Sequence, residues 1–182
     1  MATLTIALPS HQAQRALNER RWAELLADAD LARVEGRIET DRHGRIIMTP
    51  PPAARHGMLQ FEIAYLLRNR TAHGRVLTEC PISTADGVRA ADVAWASEET
   101  MRALADRVCF PRAPEIGVEV LSPSNTEAEI REKTALYFDA GAQEVWTCAD
   151  SGAMTFFRGG DGTAPMSASQ GFPDFPPRII LS

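Results

Sequence analysis

Apolar and polar positions recur along this chain with periods that change several times, and the changes mark out its elements. From His11 to Ala29, Leu17, Trp22, Leu25 and Leu26 return at helical spacing behind Ser10, a residue type that caps helix starts. Ala32 to Thr40 and Gly44 to Thr49 have strand composition, and Asp41-Arg42-His43-Gly44 between them has hairpin-turn chemistry. Pro50-Pro51-Pro52 ends that unit, because proline neither donates into a ladder nor continues a helix. Arg55 to Arg70 is the next predicted helix, with Met58, Leu59, Ile63, Leu66 and Leu67 at helical spacing and Gly74 closing it.

Arg75 to Thr84 and Val88 to Ala96 then read as strands around the turn Ala85-Asp86-Gly87, and a short helix is predicted from Glu98 to Asp106. Glu115 to Leu121 has the densest apolar and β-branched content, as a strand buried on both faces requires. Ser124 and Asn125 can both cap a helix running to Ala140, Ser124-x-x-Glu127 fits a capping box, and Gly141 ends the helix. Gln143 to Cys148 and Met154 to Phe157 are strand-like, and the Gly-, Pro- and Ser-rich tail finishes with Ile179-Ile180-Leu181, an edge-strand candidate. A strand–helix–strand unit beside meandering strands predicts an α/β fold, a mixed sheet flanked by helices. No repeat or dividing linker interrupts residues 1–182, so a single domain is expected.

Composition changes this picture little. A chain of 182 residues that is 45% hydrophobic can bury one sizeable core. No apolar run approaches the roughly 18 residues of a membrane span, and MATLTIALPSHQ lacks the basic start and long apolar centre of a secretory signal. Cys80, Cys109 and Cys148 have no CxxC spacing and read as reduced core thiols, which predicts a cytoplasmic protein, and the lack of a long apolar run predicts no membrane partner. The net charge of -5 argues against a protein that coats nucleic acid, but a nuclease with an acidic metal site needs only one basic face. The scattered arginines read as a solvated exterior. No P-loop, dinucleotide fingerprint, zinc spacing or nucleophile elbow is present.

The candidate chemistry lies in three charged residues. Asp92 sits inside the apolar run Ala91-Asp-Val-Ala-Trp95, where a carboxylate is costly to bury without a charged or hydrogen-bonding partner. Glu119 is the one charge in Ile116-Gly-Val-Glu-Val-Leu121, and alternation puts it on the face opposite Val118 and Val120. Such a carboxylate calls for a cation: Mg²⁺, or an arginine in a plain ion pair. Lys133 shares a helical face with Ile130 and Tyr137, either snorkelling along the sheet or reaching back across the strand end. Together they suit metal-assisted attack on a phosphodiester. Asp92 and Glu119 would hold Mg²⁺, and Lys133 would orient water or offset charge developing on phosphorus.

The order of elements, with Ala-Asp92-Val, Pro-Glu115-Ile-Gly-Val-Glu119-Val-Leu-Ser-Pro-Ser-Asn125, Lys133-x-x-x-Tyr137 and Gly141-Ala-Gln-Glu-Val-Trp146, resembles the putative restriction endonuclease family of the PD-(D/E)xK nuclease superfamily. The resemblance runs from Glu35-Gly36 to Phe172-Pro-Asp-Phe175. It implies a restriction-endonuclease-like core and a metal-dependent DNA endonuclease with Asp92 and Glu119 as ligands of Mg²⁺ or Mn²⁺. RNA remains an alternative substrate, and cutting both strands leads to the expectation of a homodimer. The superfamily's lysine usually stands two residues after the glutamate, where this chain has Leu121, so the resemblance moves that role to Lys133. Ala91 replaces a common proline, and Glu115 replaces a common aspartate at a position read as structural. His56, where the family often has a histidine, could touch a phosphate or a water, or simply belong to the helix start. Glu62 is expected to pack beside Tyr65, its alternative being to reach the site as an extra acidic group, with Tyr137 supporting Lys133 and Trp95 and Trp146 in the core. The rival reading is a non-catalytic nucleic-acid-binding or regulatory module with the nuclease fold. A third is an enzyme acting on another phosphate ester.

Overall fold

The structure, a computed structural model, describes residues 9–104, 106–123, 125–159 and 164–181. Ser10 accepts a hydrogen bond from the Ala13 amide at 3.2 Å and starts helix α1 (His11–Ala27). Only part of its predicted apolar stripe turns inward. Trp22 and Leu25 are buried, Leu26 is 61% exposed, and the buried face is completed by Gln14 and Asn18. Asn18 donates to the Ser83 hydroxyl and to the carbonyls of Thr84 and Gly87, so a polar residue docks α1 on the hairpin turn below it.

Strands β1 (Arg37–Thr40) and β2 (Ile46–Thr49) form a small antiparallel sheet of their own. β1 starts later than the sequence predicted, because Leu31–Arg33 makes a 3-10 turn and Gly36, at φ +123°, redirects the chain before the strand. Helix α2 (Ala54–Arg70) buries Leu59, Ile63 and Leu67. Thr71 caps its end, while Gly74, at φ +80°, lies three residues further on, where a Cβ would fall 2.5 Å from the Ala96 carbonyl oxygen.

The main sheet has the order β3-β4-β5-β6-β7, built from β3 (Arg75–Thr84), β4 (Gly87–Ala96), β5 (Ile116–Val120), β6 (Glu144–Cys148) and β7 (Met154–Arg158). β5 and β6 run parallel, joined through helix α4 (Glu127–Asp139), and the other pairs are antiparallel. The short helix α3 (Glu98–Leu104) lies between β4 and β5. On one face α2 packs with Val93, Val118, Val120 and Trp146, closed by Phe172, Phe175 and Ile179 from the C-terminal segment. On the other, Tyr137, Ala140 and neighbouring residues of α4 meet Ile82, Ala94, Phe110 and Val145. Both β5 and β6 are buried throughout, which the composition of β5 predicted.

The capping box of α4 stands two residues later than expected. Thr126 accepts from the Glu129 amide and Glu129 returns a carboxylate to the Thr126 amide, while Ser124 lies outside the described residues. The tail forms no strand among the described residues. Ile179 donates to the Gly152 carbonyl and Arg178 bridges Ala153, but Pro176 and Pro177 have no N–H with which to extend the pairing. All three cysteines are free and buried, and Trp146 lies wholly in the core. No helix among the described residues is long and apolar enough to cross a membrane.

Candidate active site

The β3–β4 ladder pairs Thr78 with Val93 and Cys80 with Ala91, but passes over Glu79 and Asp92. Glu79 stands at φ +50°, the one non-glycine residue with positive φ among those described. That conformation costs a residue with a Cβ about 1–2 kcal/mol. Pairing of β4 with β5 likewise runs only from Trp95–Ile116 to Val93–Val118. Asp92 therefore sits where β4 parts from both neighbours. Side chains span the gap: Gln60 of α2 donates to the Asp92 carbonyl at 3.0 Å, and the Val120 amide of β5 donates to the Asp92 carboxylate at 2.6 Å.

Asp92 is buried and well supplied with donors. Its Oδ2 faces His56 Nε2 at 3.3 Å in addition to the Val120 amide, and its Oδ1 accepts from the Arg37 guanidinium. Arg37 also forks onto Glu79 at 2.8 and 3.0 Å. Burial works to raise the Asp92 pKa, but His56 and Arg37 outweigh it and hold the carboxyl below its usual range. The same contact with Asp92 raises the His56 pKa against the opposing effect of burial.

Glu119 projects from β5 toward α4, where helical spacing aims two side chains at it. Lys133 Nζ donates to Oε2 at 2.9 Å and the Tyr137 hydroxyl donates to Oε1 at 2.7 Å. Burial pushes Glu119 up to about 7; Lys133 pulls it down and Asp92 adds to the rise. Burial also keeps Tyr137 neutral, its pKa raised well above the ordinary phenol value. Lys133 stays cationic despite burial, which acts to lower its pKa, because Glu119 and Glu39 raise it. Its other two contacts are Glu39 Oε1 and the Ala90 carbonyl, each at 3.1 Å.

Asp92, Glu119 and Lys133 thus line one cleft of about 780 Å³, with Pro50–Pro52 on one rim and Leu121–Pro123 on another. Arg37 is the charged partner that burial of Asp92 requires, whereas Glu119 meets a lysine and not the arginine weighed for it. Tyr137 serves Glu119 directly and not Lys133. His56 reaches the carboxylate from the first turn of α2. Glu115 accepts from the Ser97 amide and from the hydroxyls of Ser97 and Thr100, and so fixes the entry to α3. Tyr65 stacks on Phe61, with ring centroids 6.2 Å apart. Arg37, Glu39, Gln60 and Glu79 are site residues that sequence reasoning passed over. Alternation does place Arg37 and Glu39 on one face of β1, and that was the available signal.

Each carboxylate oxygen can take two partners. Among the described residues, Asp92 Oδ1 and both oxygens of Glu119 have one protein donor each, so a face of each carboxylate remains for a cation. Among the described residues no group of three or more His, Cys, Asp or Glu side chains is arranged to hold a metal. Two carboxylates fit Mg²⁺, which keeps several waters and takes its remaining ligands from substrate oxygens.

A family model described as "Uma2: Putative restriction endonuclease" matches residues 22–179. Among solved structures, the chain is similar to a putative nuclease belonging to DUF820 from Anabaena variabilis. The TM-score is 0.65 at 18% identity, over 79% of this chain and 88% of that one. At that identity the likeness is one of fold. No curated protein matches the chain.

Proposed function

The chain belongs to the Uma2 family of putative restriction endonucleases, and from that membership we propose that it is a divalent-metal-dependent endonuclease cutting DNA phosphodiester bonds in the Asp92–Glu119 cleft. The observation that carries the reading is the Lys133 ammonium resting 2.9 Å from Glu119, on the strand whose Val120 amide binds Asp92. Two acids and a lysine from three separate elements converge on one open cleft.

Asp92 and Glu119 would hold Mg²⁺ or Mn²⁺. When bound, the cation polarises a phosphoryl oxygen and makes a bound water more acidic. The chain's own residues prepare for that chemistry. The Val120 amide and Arg37 fix the orientation of Asp92. Tyr137, a neutral donor, fixes one oxygen of Glu119 and leaves the other to Lys133. Lys133 brings positive charge to the cleft, where it can offset the negative charge that grows on phosphorus. Water adds to phosphorus, the bond to the leaving ester oxygen breaks, and one strand is left with a phosphate and a hydroxyl end.

Supercoiled plasmid tests this reading. Purified protein with Mg²⁺ should give nicked circles, and both EDTA and Asp92→Asn should abolish them. A protein that binds plasmid with an ordinary salt dependence yet never nicks it would be a non-catalytic module with the nuclease fold. Cleavage that persists in Asp92→Asn would place the chemistry elsewhere. One copy of the site cuts one strand, so linear product formed in a single encounter would require a second copy of the chain.

A further inference from the structure

A lysine placed on the strand two residues after Glu119 would be oriented by the strand itself. From α4 the amine arrives on a long, flexible stem, and some other group must remove that freedom. The ammonium has three donors, and three acceptors meet it: Glu119 at 2.9 Å, Glu39 at 3.1 Å and the Ala90 carbonyl at 3.1 Å. Glu39 is held just as firmly. It is buried in β1, accepts the Ala90 amide at 2.9 Å through Oε1, and faces Arg89 at 3.3 Å through Oε2. Residue Ala90 therefore gives its N–H to Glu39 and its carbonyl to Lys133.

We propose that Glu39 is a positioning residue for the cleavage reaction: it holds the Lys133 amine against Glu119. This rests on the role given to Lys133 above. Glu39 is not a cation ligand, because the ammonium bridges it to Glu119, and a metal shared by the two acids would have to displace that amine. The same contact helps to hold the small β1–β2 sheet against β4. Thr40, the next residue, accepts the Val88 amide at 2.9 Å, so β1 is docked by side chains at adjacent positions, one of which also grips the lysine.

Glu39→Gln keeps the size of the side chain and an acceptor for the Ala90 amide while removing the charge that holds the ammonium. Three readouts separate the outcomes: nicking kinetics on a labelled duplex, Mn²⁺ affinity by electron paramagnetic resonance, and acylation of Lys133 by a water-soluble ester followed by mass spectrometry. The expected result is a fall in kcat of at least about 30-fold with KM within about threefold, unchanged Mn²⁺ affinity, and faster acylation of Lys133. Glu39→Asp, which keeps the charge on a shorter arm, should recover part of kcat and decides the matter where Glu39→Gln folds poorly. Unchanged kcat in both variants overturns the proposal, and so does loss of Mn²⁺ binding equal to that of Glu119→Gln. If the wild-type protein cuts nothing, the nuclease reading fails separately. The tether is then judged by acylation alone, and an unchanged rate at Lys133 overturns it.

Discussion

Lys133 donates to Glu119 across 2.9 Å although the two stand 14 residues apart, one on a strand and the other on the helix that follows it. Removing the amine while keeping the apolar stem tests what that contact does. Lys133→Met should lower the nicking rate by about 10²- to 10³-fold, the range for loss of one preorganised charge-stabilising group. Duplex binding measured by fluorescence anisotropy should change little. Lys133→Arg should not restore the rate, because a planar guanidinium cannot reproduce the three-acceptor geometry of the ammonium. Wild-type turnover in Lys133→Met would remove the lysine from the mechanism.

Glu119 gives the protein a pH dependence whose sign is fixed. Its carboxyl titrates near 4.5 in the unfolded chain and is pushed to about 7 in the fold, by burial first and Asp92 further, against the pull of Lys133. Between those values the unfolded state has released a proton that the native state keeps. The associated stability is present below the lower value and is lost as pH rises through the upper one, with a magnitude on the order of 1–3 kcal/mol. In metal-free buffer, urea unfolding at about pH 5 and about pH 8 should show wild type losing stability relative to Glu119→Gln as pH rises. The reverse trend would contradict this charge assignment. Mn²⁺ should bind more tightly over the same rise, since it requires the ionised carboxylate.

Gly87 controls how closely β1 lies on β4. It stands at φ +87°, and a Cβ there would fall 2.1 Å from the Thr40 carbonyl oxygen and 2.5 Å from that of Asp41. Gly87→Ala combines an unfavourable backbone conformation with a backbone clash, and a loss of about 2–4 kcal/mol is expected in denaturant unfolding. Because β1 carries Arg37 and Glu39, nicking activity should fall further than the folded fraction does. A variant as stable and active as wild type would show that β1 can move freely.

Much of this site was legible in the sequence, for a physical reason: a charge inside an apolar strand must be answered by something. That drew attention to Asp92 and Glu119, and helical spacing then added Lys133 and Tyr137. Arg37 and Glu39 were hidden because a four-residue strand reading Arg-Ile-Glu-Thr is also what a solvated edge looks like. Glu79 was hidden because its left-handed backbone carries no glycine to announce it. The inward face of α1 was misjudged where Gln14 and Asn18, polar residues, do the docking that an apolar stripe was expected to do. At the start of α4 several capping residues stand in a row, and only the fold shows that Thr126, with Glu129 three residues on, closes the box.

Glu144 ties the C-terminal segment to the sheet, with Trp146 on the face opposite helix α4. Its carboxylate accepts the Trp146 indole N–H and the amides of Gln170 and Gly171, each at 2.8 Å. Glu144→Ala leaves those donors without this acceptor, and a cost of about 2–5 kcal/mol is expected, with faster hydrogen exchange at Gln170 and Gly171. Activity per folded molecule should remain that of wild type, which separates this anchor from the residues of the cleft. Unaltered exchange would show the segment to be held without Glu144, by contacts such as those of Phe172, Phe175 and Ile179.

Asp92 and Glu119 are proposed to share a divalent cation beside the Lys133 amine. A crystal soaked in Mn²⁺ and measured for anomalous scattering tests it most directly. The account predicts one strong peak within coordination distance of both carboxylates, with the Lys133 amine still in the same cleft and the peak gone in Asp92→Asn. A cleft without manganese, or a peak that touches neither Asp92 nor Glu119, would contradict it.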